Sequence, residues 1–330
     1  MSAFAYARPD TVAQAVSLVS ADPEASFLAG GTTHLDLILK DAVVQSARLV
    51  DITQLPLHHI SCSENTLRVG ALVTMEQLAT DAVVVKRVPF VREALLASAS
   101  TQLRNVATIG GNLLQRTRCR YFRDRAVTAC NKRATGSGCA AVKGTARMHA
   151  ILGASEHCIA LHASDLCVPL TALDAVVHIQ GSAGPRMIPL SKFYVLPGDR
   201  PDIENVLQHG ELITEVEIPL LSPEARSTYL KIRDRASYEF ALTSAAAALQ
   251  IEKDTIAHAR VALGGVGTIP WRAPDAEVIL NGARATDEVF RAAAEAAVHD
   301  AFTVPGTAFK VELAKRTIVR VLQTLVRLPR

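Results

Sequence analysis

The feature that most constrains this chain is a break in its pattern between residues 113 and 160. Up to about residue 112, short apolar segments typical of strands alternate with segments of helical periodicity. Residues 113–160 are instead rich in Arg, Lys, Gly and Cys and poor in long apolar runs. An irregular segment of this length is uncommon in a compact domain and is usually functional. The pattern therefore predicts an α/β region that is interrupted by a functional insert.

The insert contains four of the six cysteines, and Cys62 and Cys167 lie outside it. A disulfide framework is typical of small secreted domains, not of a chain with its own cores. Structural zinc sites usually show paired C-x₂₋₄-C knuckles, and none is present. An iron–sulfur cluster needs four converging thiolates, and nearby cations could offset its negative charge. A cluster, a zinc ion, and structural or redox thiols all stay open for Cys119, Cys130, Cys139 and Cys158.

Length and composition exclude several classes of function. With 330 residues, of which 49% are hydrophobic and 20% charged, the chain is expected to form two or three soluble globular domains. A net charge of +3 gives no indication of nucleic-acid binding. No apolar run is long enough to span a membrane. The N-terminal MSAFAYARPD does not resemble a signal peptide, which predicts either a cytoplasmic location or export with a partner.

The chain is expected to divide into three parts: residues 1–60, residues 61–222 with the insert at about 113–160, and residues 223–330. Residues 240–251 and 256–264 are apolar throughout and fit either a helix or paired strands. From residue 286 onward the periodicity predicts helices.

Two glycine motifs lie at comparable places in the first two parts. AGGTT (29–33) stands between a predicted strand and a predicted helix, and TIGGN (108–112) repeats the combination of glycine with small donors. Glycine lets the backbone approach a phosphate closely. Neither motif is the Rossmann or the P-loop fingerprint. A single GG pair is more often a tight turn, but two in adjacent lobes suggest a nucleotide cofactor at their junction.

Five stretches, two of which contain the glycine motifs, carry a resemblance that covers essentially the whole chain in the same order. They are AGGTTHLDL (29–37), QLRNVATIGGNL (102–113), HASDL (162–166), LKIRDRASYEFAL (230–242) and LGGVGTIPWRA (263–273). Together they resemble the FAD-binding medium subunit of the molybdenum hydroxylases, the family of xanthine dehydrogenase and aldehyde oxidoreductase. The cysteine insert most resembles the FAD subunit of periplasmic aldehyde oxidoreductase, in which this loop holds a 4Fe–4S cluster.

The resemblance implies an α+β fold. It consists of a two-lobed FAD-binding domain of the vanillyl-alcohol-oxidase type, followed by a C-terminal α+β domain of the CO dehydrogenase flavoprotein type. It implies that the four insert cysteines bind the cluster. The residues implied in FAD binding are Leu28, Ala29, Gly30, Gly31, Thr32, Thr33, His34, Leu35, Thr108, Gly110, Gly111, Asn112, Asp165, Ile213 and Lys231.

Four of these residues need comment. The pair Thr33-His34 stands where relatives often carry a single Asn or Asp, so a side-chain contact to FAD is less secure there than a backbone contact. Taken without the resemblance, Asp165 would be a helix cap after Ser164. Lys231 would be a solvated charge on a strand.

The implied function is electron transfer from iron–sulfur clusters to FAD and on to an external acceptor. The implied partners are a large molybdopterin-binding subunit, where the aldehyde is oxidised, and a small subunit with two 2Fe–2S clusters. A signal-bearing partner would carry the complex to the periplasm, and the complex would stay cytoplasmic if that partner lacks a signal. The alternatives are a self-contained FAD-dependent oxidase of the same fold, for which no candidate base is found, and a non-catalytic zinc scaffold.

Overall fold

A computed structural model describes residues 4–328, so the first three and the last two residues of the predicted parts lie outside it. Among the described helices, none has the length and apolar character needed to cross a membrane.

The first lobe is a small parallel sheet covered by one helix. Its strands pair in the order β1-β3-β2, and helix α1 begins after Thr11, whose hydroxyl accepts from the Gln14 N–H at 3.2 Å. Ala15, Val16 and Val19 of α1 are buried against the sheet. The elements are β1 (Ala5–Ala7), α1 (Val12–Ser20), β2 (Ala25–Leu28), a π-helical turn (Asp36–Lys40) and β3 (Arg48–Asp51).

The second lobe is a five-stranded antiparallel sheet with helices packed on it. The central strand β8 (Leu212–Pro219) pairs with β5 and β6, giving the order β4-β5-β8-β6-β7. The other strands are β4 (Ile60–Cys62), β5 (Thr66–Gly70), β6 (Val176–Gly181) and β7 (Gly184–Pro189). The helices are α2 (Met75–Thr80), α3 (Ala82–Arg87), α4 (Pro89–Ala97), α5 (Thr101–Arg104), α6 (Ile109–Leu113), α7 (Arg120–Arg123), α8 (Cys167–Ala172) and α9 (Leu190–Phe193).

The third part is an antiparallel sheet in the order β12-β11-β10-β9, with three helices on one face. The strands are β9 (Arg226–Ile232), β10 (Thr243–Glu252), β11 (Thr255–Gly264) and β12 (Trp271–Arg272). The helices are α10 (Pro274–Leu280), α11 (Asp287–Ala296) and α12 (Phe309–Arg327). The predicted boundary at 222/223 falls between β8 and β9, and the one at 60/61 falls inside β4.

Strand β10 resolves the ambiguity left by residues 240–264, which form paired strands and not a helix. Its alanines are buried on both sides. Ala246 and Ala248 belong to the core of the second lobe, whereas Ala245 and Ala247 belong to the core beneath α10–α12. A strand that is covered on both faces has no reason to alternate apolar with polar residues. The third sheet therefore shares a core with the second lobe.

A lysine is fully buried in helix α12. The Lys310 ammonium donates to the carbonyls of His149, at 2.8 Å, and of Gly265, at 2.7 Å. It forms no ion pair with a carboxylate of residues 4–328. Burial, with a smaller contribution from the charge of Arg147, lowers the pKa of this amine to about 7. Helix α12 is thereby tied to the insert, which supplies His149.

This lysine should give the protein a pH-dependent stability. The unfolded chain holds the proton up to about pH 10.5, whereas the folded chain releases it near pH 7. The free energy of unfolding should therefore rise as the pH rises from 7 toward 10, and Lys310→Met should remove that contribution. Urea unfolding at about pH 7 and about pH 9 measures the difference between wild type and variant at each pH.

Lys315→Met is the matched control, because Lys315 lies on the same helix but pairs with Glu295 instead of being buried. If the stability of Lys310→Met follows pH in parallel with wild type and this control, the buried amine does not carry the effect.

Candidate cofactor site

A cavity of about 570 Å³ lies where the first lobe meets the second. All the residues implied in FAD binding line it except Leu28 and Leu35. Those two leucines lie behind the first glycine turn, where their side chains fill the space next to Gly31. The residues that line the cavity are Ala29, Gly30, Gly31, Thr32, Thr33, His34, Thr108, Gly110, Gly111, Asn112, Asp165, Ile213 and Lys231.

The first glycine motif lies against the residues that lead into the second. A Cβ on Gly30 would lie 2.1 Å from the carbonyl oxygen of Val106, so only glycine allows the first turn to approach this segment. Gly31 has a φ of 68°, in the left-handed region that favours glycine. Both motifs line the same cavity.

The second motif begins helix α6. The Thr108 hydroxyl accepts from the Gly111 N–H at 3.3 Å, and the Gly110 N–H donates to the carbonyl of Ala71 at 2.8 Å. A Cβ on Gly110 would lie 2.9 Å from the Ala71 Cβ. This motif is therefore fixed against the start of the segment that follows β5.

Asn112 and His34 line the cavity, but each also has an internal partner. Asn112 Oδ1 accepts from the Ser164 hydroxyl at 2.6 Å, which joins α6 to the HASDL stretch. His34 Nε2 lies 2.8 Å from the Ser26 hydroxyl, and burial lowers the pKa of this imidazole. His34 is therefore neutral near pH 7, so it does not provide a positive charge to a bound phosphate.

Asp165 and Lys231 form a buried ion pair at the cavity, 2.7 Å apart. Asp165 also accepts from the Tyr229 hydroxyl at 2.6 Å, and Lys231 donates to the carbonyl of Ala97 at 3.2 Å. The interpretations of a helix cap and a solvated charge are both wrong, since Ser164 accepts from the Cys167 N–H and the lysine is buried. Removing one partner would leave the other charge buried and unpaired.

The loop between β9 and β10 also lines the cavity and was not among the predicted site residues. It contributes Arg235, Tyr238, Glu239 and Phe240. Tyr238 has a φ of 53°, and its carbonyl accepts from the Arg235 guanidinium at 3.2 Å from Nε. The signal that could have found this loop is the stretch RDRASYEF, which lies within one of the segments of resemblance.

Arg118 lies between the cavity and the cysteine insert. Its guanidinium is 3.5 Å from the Thr33 hydroxyl and 3.8 Å from the Asp36 carboxylate, and it stacks over the Phe240 ring at 5.1 Å. Burial, followed by the neighbouring charge of Arg123, lowers its pKa below the usual range. Arginine keeps its charge in proteins, so the cavity has a partly buried cation next to the first glycine turn.

The four insert cysteines come together in one place. Cys130 and Cys139 are bridge partners on adjacent segments, and Cys119 packs between two apolar clusters that contain Cys130 and Cys139. Burial raises the pKa of Cys119 to about 12, and it raises that of Cys158 as well. In both cases neighbouring cysteines add to the shift. Cys119 and Cys158 would therefore become thiolates near pH 7 only with a bound cation or cluster.

Within residues 4–328, one group of metal-binding side chains lies close enough together to hold a single metal ion. The ligand atoms of His178, Glu215 and Glu217 all lie within 4.8 Å of one another, and no three cysteine sulfurs meet that limit. A single zinc ion with Zn–S bonds of about 2.3 Å would hold its sulfurs about 3.8 Å apart, so the cysteine side chains would have to move to bind one.

The surface trio itself has another explanation. Arg68 lies 3.0 Å from Glu217 and 3.6 Å from Glu215, and His59 lies 2.6 Å from Glu215. These contacts form an ion-pair network on the sheet.

Several basic residues of the insert, expected to offset the charge of a cluster, have other partners. Arg116 and Lys132 both pair with Glu204, at 2.8 Å each, and Arg123 pairs with Asp41 at 2.6 Å. Arg133 donates to the carbonyls of Tyr121 and Phe122. These contacts mainly attach the insert to its neighbours. Lys132 also favours the thiolate form of Cys158.

Comparison with known proteins adds to this geometry. Residues 2–221 match the family described as the FAD binding domain in molybdopterin dehydrogenase, and residues 228–325 match the CO dehydrogenase flavoprotein C-terminal domain. The chain is 45% identical to the aldehyde oxidoreductase FAD-binding subunit PaoB of Escherichia coli, and the match covers 98% of each chain.

Solved structures give the same result for the fold. A chain of carbon monoxide dehydrogenase from Hydrogenophaga pseudoflava matches with a TM-score of 0.77 at 24% identity and 98% coverage of both chains. A chain of quinoline 2-oxidoreductase from Pseudomonas putida 86 matches with a TM-score of 0.76 at 26% identity, covering 99% of this chain and 98% of that one. The predicted fold class is confirmed.

The contact between Gly30 and Val106 predicts the effect of Gly30→Ala. The added methyl group would push the first turn away from Val106. Overpacking costs about 1–3 kcal/mol. If FAD binds only when the first turn lies against Val106, the affinity for FAD should fall by about tenfold to hundredfold. Flavin released on dilution, measured by its fluorescence, gives the affinity of the purified protein.

Gly282→Ala is the control, because its φ of 80° makes a substitution strained, but a Cβ there would meet nothing within 4 Å and the residue does not line the cavity. Equal flavin retention in both variants would show that the contact with Val106 does not support binding.

Proposed function

Since the chain belongs to the FAD-binding medium subunits of the xanthine dehydrogenase family of molybdenum hydroxylases, we propose that it is the electron-transfer subunit of an aldehyde oxidoreductase. The 45% identity to the PaoB subunit over nearly the whole chain supports the aldehyde class. The proposed partners are a large molybdopterin-binding subunit, which oxidises the aldehyde, and a small subunit with two 2Fe–2S clusters. An external acceptor would take the electrons that leave this subunit.

The residues of the cavity fit FAD, which when bound supplies two-electron chemistry between one-electron donors and the final acceptor. The first glycine turn would hold its phosphates, because glycine lets a ligand approach the backbone closely. In the second motif the N–H groups of Gly110 and Gly111 already donate to Ala71 and Thr108, so this motif would contribute close backbone approach instead of N–H donors. Arg118 would add positive charge next to the first turn. The Asp165–Lys231 pair fixes one wall through Tyr229 and Ala97. In this proposal His34 stabilises the first glycine turn through its hydrogen bond with the Ser26 hydroxyl.

The insert fits a 4Fe–4S cluster, which when bound supplies one-electron chemistry. The ligands would be Cys119, Cys130, Cys139 and Cys158. The single observation that supports a cluster is that these four cysteines, which are separated in sequence, converge in one place of an insert that resembles the cluster-binding loop of a relative. Cys62 is exposed, and the Cys167 sulfur forms a hydrogen bond of 3.0 Å with the Tyr194 hydroxyl, so both lie outside this set.

We also propose a periplasmic location, with export in a complex whose partner carries the signal. The support is the resemblance of the cysteine insert to that of a periplasmic relative. Fractionation of cells that express the complex with and without the partner's signal segment tests this location.

Cys130→Ser tests the cluster in the assembled complex. Loss of one thiolate should remove most of the additional iron while FAD stays bound, because the flavin cavity does not include this residue. Iron analysis measures the first effect, and the rate of aldehyde oxidation with an artificial acceptor shows what the cluster does. A lower rate indicates an electron relay, and an unchanged rate indicates a structural cluster.

Cys62→Ser is the matched control, because that thiol is exposed and lies on strand β4. Equal iron content in Cys130→Ser and Cys62→Ser would contradict the proposed ligand set.

A further inference from the structure

We infer that His149 donates a hydrogen bond to the sulfur of Cys119 and, as a positioning residue, raises the reduction potential of the cluster in the insert. The inference rests on the proposed cluster. His149 is not among the predicted site residues, and it does not line the flavin cavity.

The contact is short and buried. His149 Nε2 lies 3.2 Å from Cys119 Sγ, within the range of a hydrogen bond to sulfur, and the residue is 3% exposed. A thiolate sulfur can only accept, so the contact requires the proton on Nε2. Nδ1 is then an acceptor, and it has no protein partner among the described residues. The histidine therefore has one polar contact through its ring, and that contact is the sulfur.

The position of the imidazole is set by contacts from both outside and within the insert. The Lys310 ammonium in α12 donates to the His149 carbonyl at 2.8 Å and to the Gly265 carbonyl at 2.7 Å. The His149 N–H donates to the carbonyl of Ala146 at 2.8 Å, and its ring is tilted against Tyr121 with 6.0 Å between the centroids. The C-terminal helix thus holds the histidine against the cysteine.

No comparable side-chain donor reaches the other three insert cysteines in the described part of the chain. The Ala160 N–H donates to Cys158 Sγ at 3.4 Å, but this is a backbone group that every variant keeps. Because hydrogen bonds to the sulfurs stabilise the more negative reduced cluster, loss of a donor lowers the reduction potential. His149 is therefore the one side chain of this kind that substitution can remove.

The test is a potentiometric titration of the assembled complex, with reduction of the additional cluster followed by electron paramagnetic resonance. His149→Leu should keep full iron content and lower the midpoint potential. The expected change is at least tenfold in the reduction equilibrium constant, which corresponds to about 59 mV for one electron. His149→Gln, which keeps an N–H donor, should recover part of the shift.

His157→Leu is the matched control, because this histidine is next to Cys158 in sequence but its side chain is 46% exposed and faces Asp199 at 3.5 Å. It should leave the potential unchanged.

Three results would overturn the inference. An unchanged potential in His149→Leu with full iron would show that the contact does not tune the cluster. Loss of iron in both His149 variants would show a structural or ligand role instead. Absence of the additional iron in wild type would contradict the proposed function itself, and with it this inference.

Discussion

The close approach of Gly30 to the Val106 carbonyl is the contact on which the flavin cavity depends. It brings the turn after β2 against the segment that leads into α6, and the two lobes meet there around an open space. Any larger residue at position 30 would need the backbone of Val106 and Ala107, just before the second motif, to move. The Thr108 cap and the bond from Gly110 to Ala71 hold the second motif in place. The cavity is therefore a consequence of how the first glycine turn packs against the segment that leads into the second motif.

The third part of the chain contributes residues to this site. Strand β10 is buried on both faces, so the second lobe and the C-terminal helices share one sheet between their cores. From that sheet, β9 supplies Tyr229 and Lys231 to Asp165, and the following loop lines the cavity. Lys310, which belongs to the same part, donates to the His149 carbonyl and so connects this part to the cysteine insert. Both proposed cofactor sites thus depend on contacts between parts that are distant in sequence.

Much of the fold follows from local patterns in the sequence. The strand before the first glycine motif, the irregular insert and the helices after residue 286 are all predicted from residue type and spacing. Strands β10 and β11 were ambiguous because burial on both faces removes the alternation that distinguishes a strand from a helix. Asp165 and Lys231 looked unremarkable because each is explained only by a partner 66 residues away.

The residues of the two proposed sites could likewise be predicted only where they stand out in the local sequence. Both glycine motifs and the cysteines stand out locally, since glycine pairs and clustered thiols have few uses. His149 does not stand out, because its importance comes from Cys119 and from Lys310, which is 161 residues away. The basic residues of the insert show the converse: their clustering suggested countercharge, whereas folding places carboxylates of other segments beside several of them.

The most direct test of this account is the flavin, iron and zinc content of the purified complex, measured per copy of this chain. The account predicts one FAD, no stoichiometric zinc, and enough iron for one four-iron cluster in addition to the two two-iron clusters of the small subunit. Zinc in place of the additional iron, or iron for the two-iron clusters alone, would contradict the assignment of the cysteine insert. A complex without flavin would contradict the assignment of the cavity between the glycine turns.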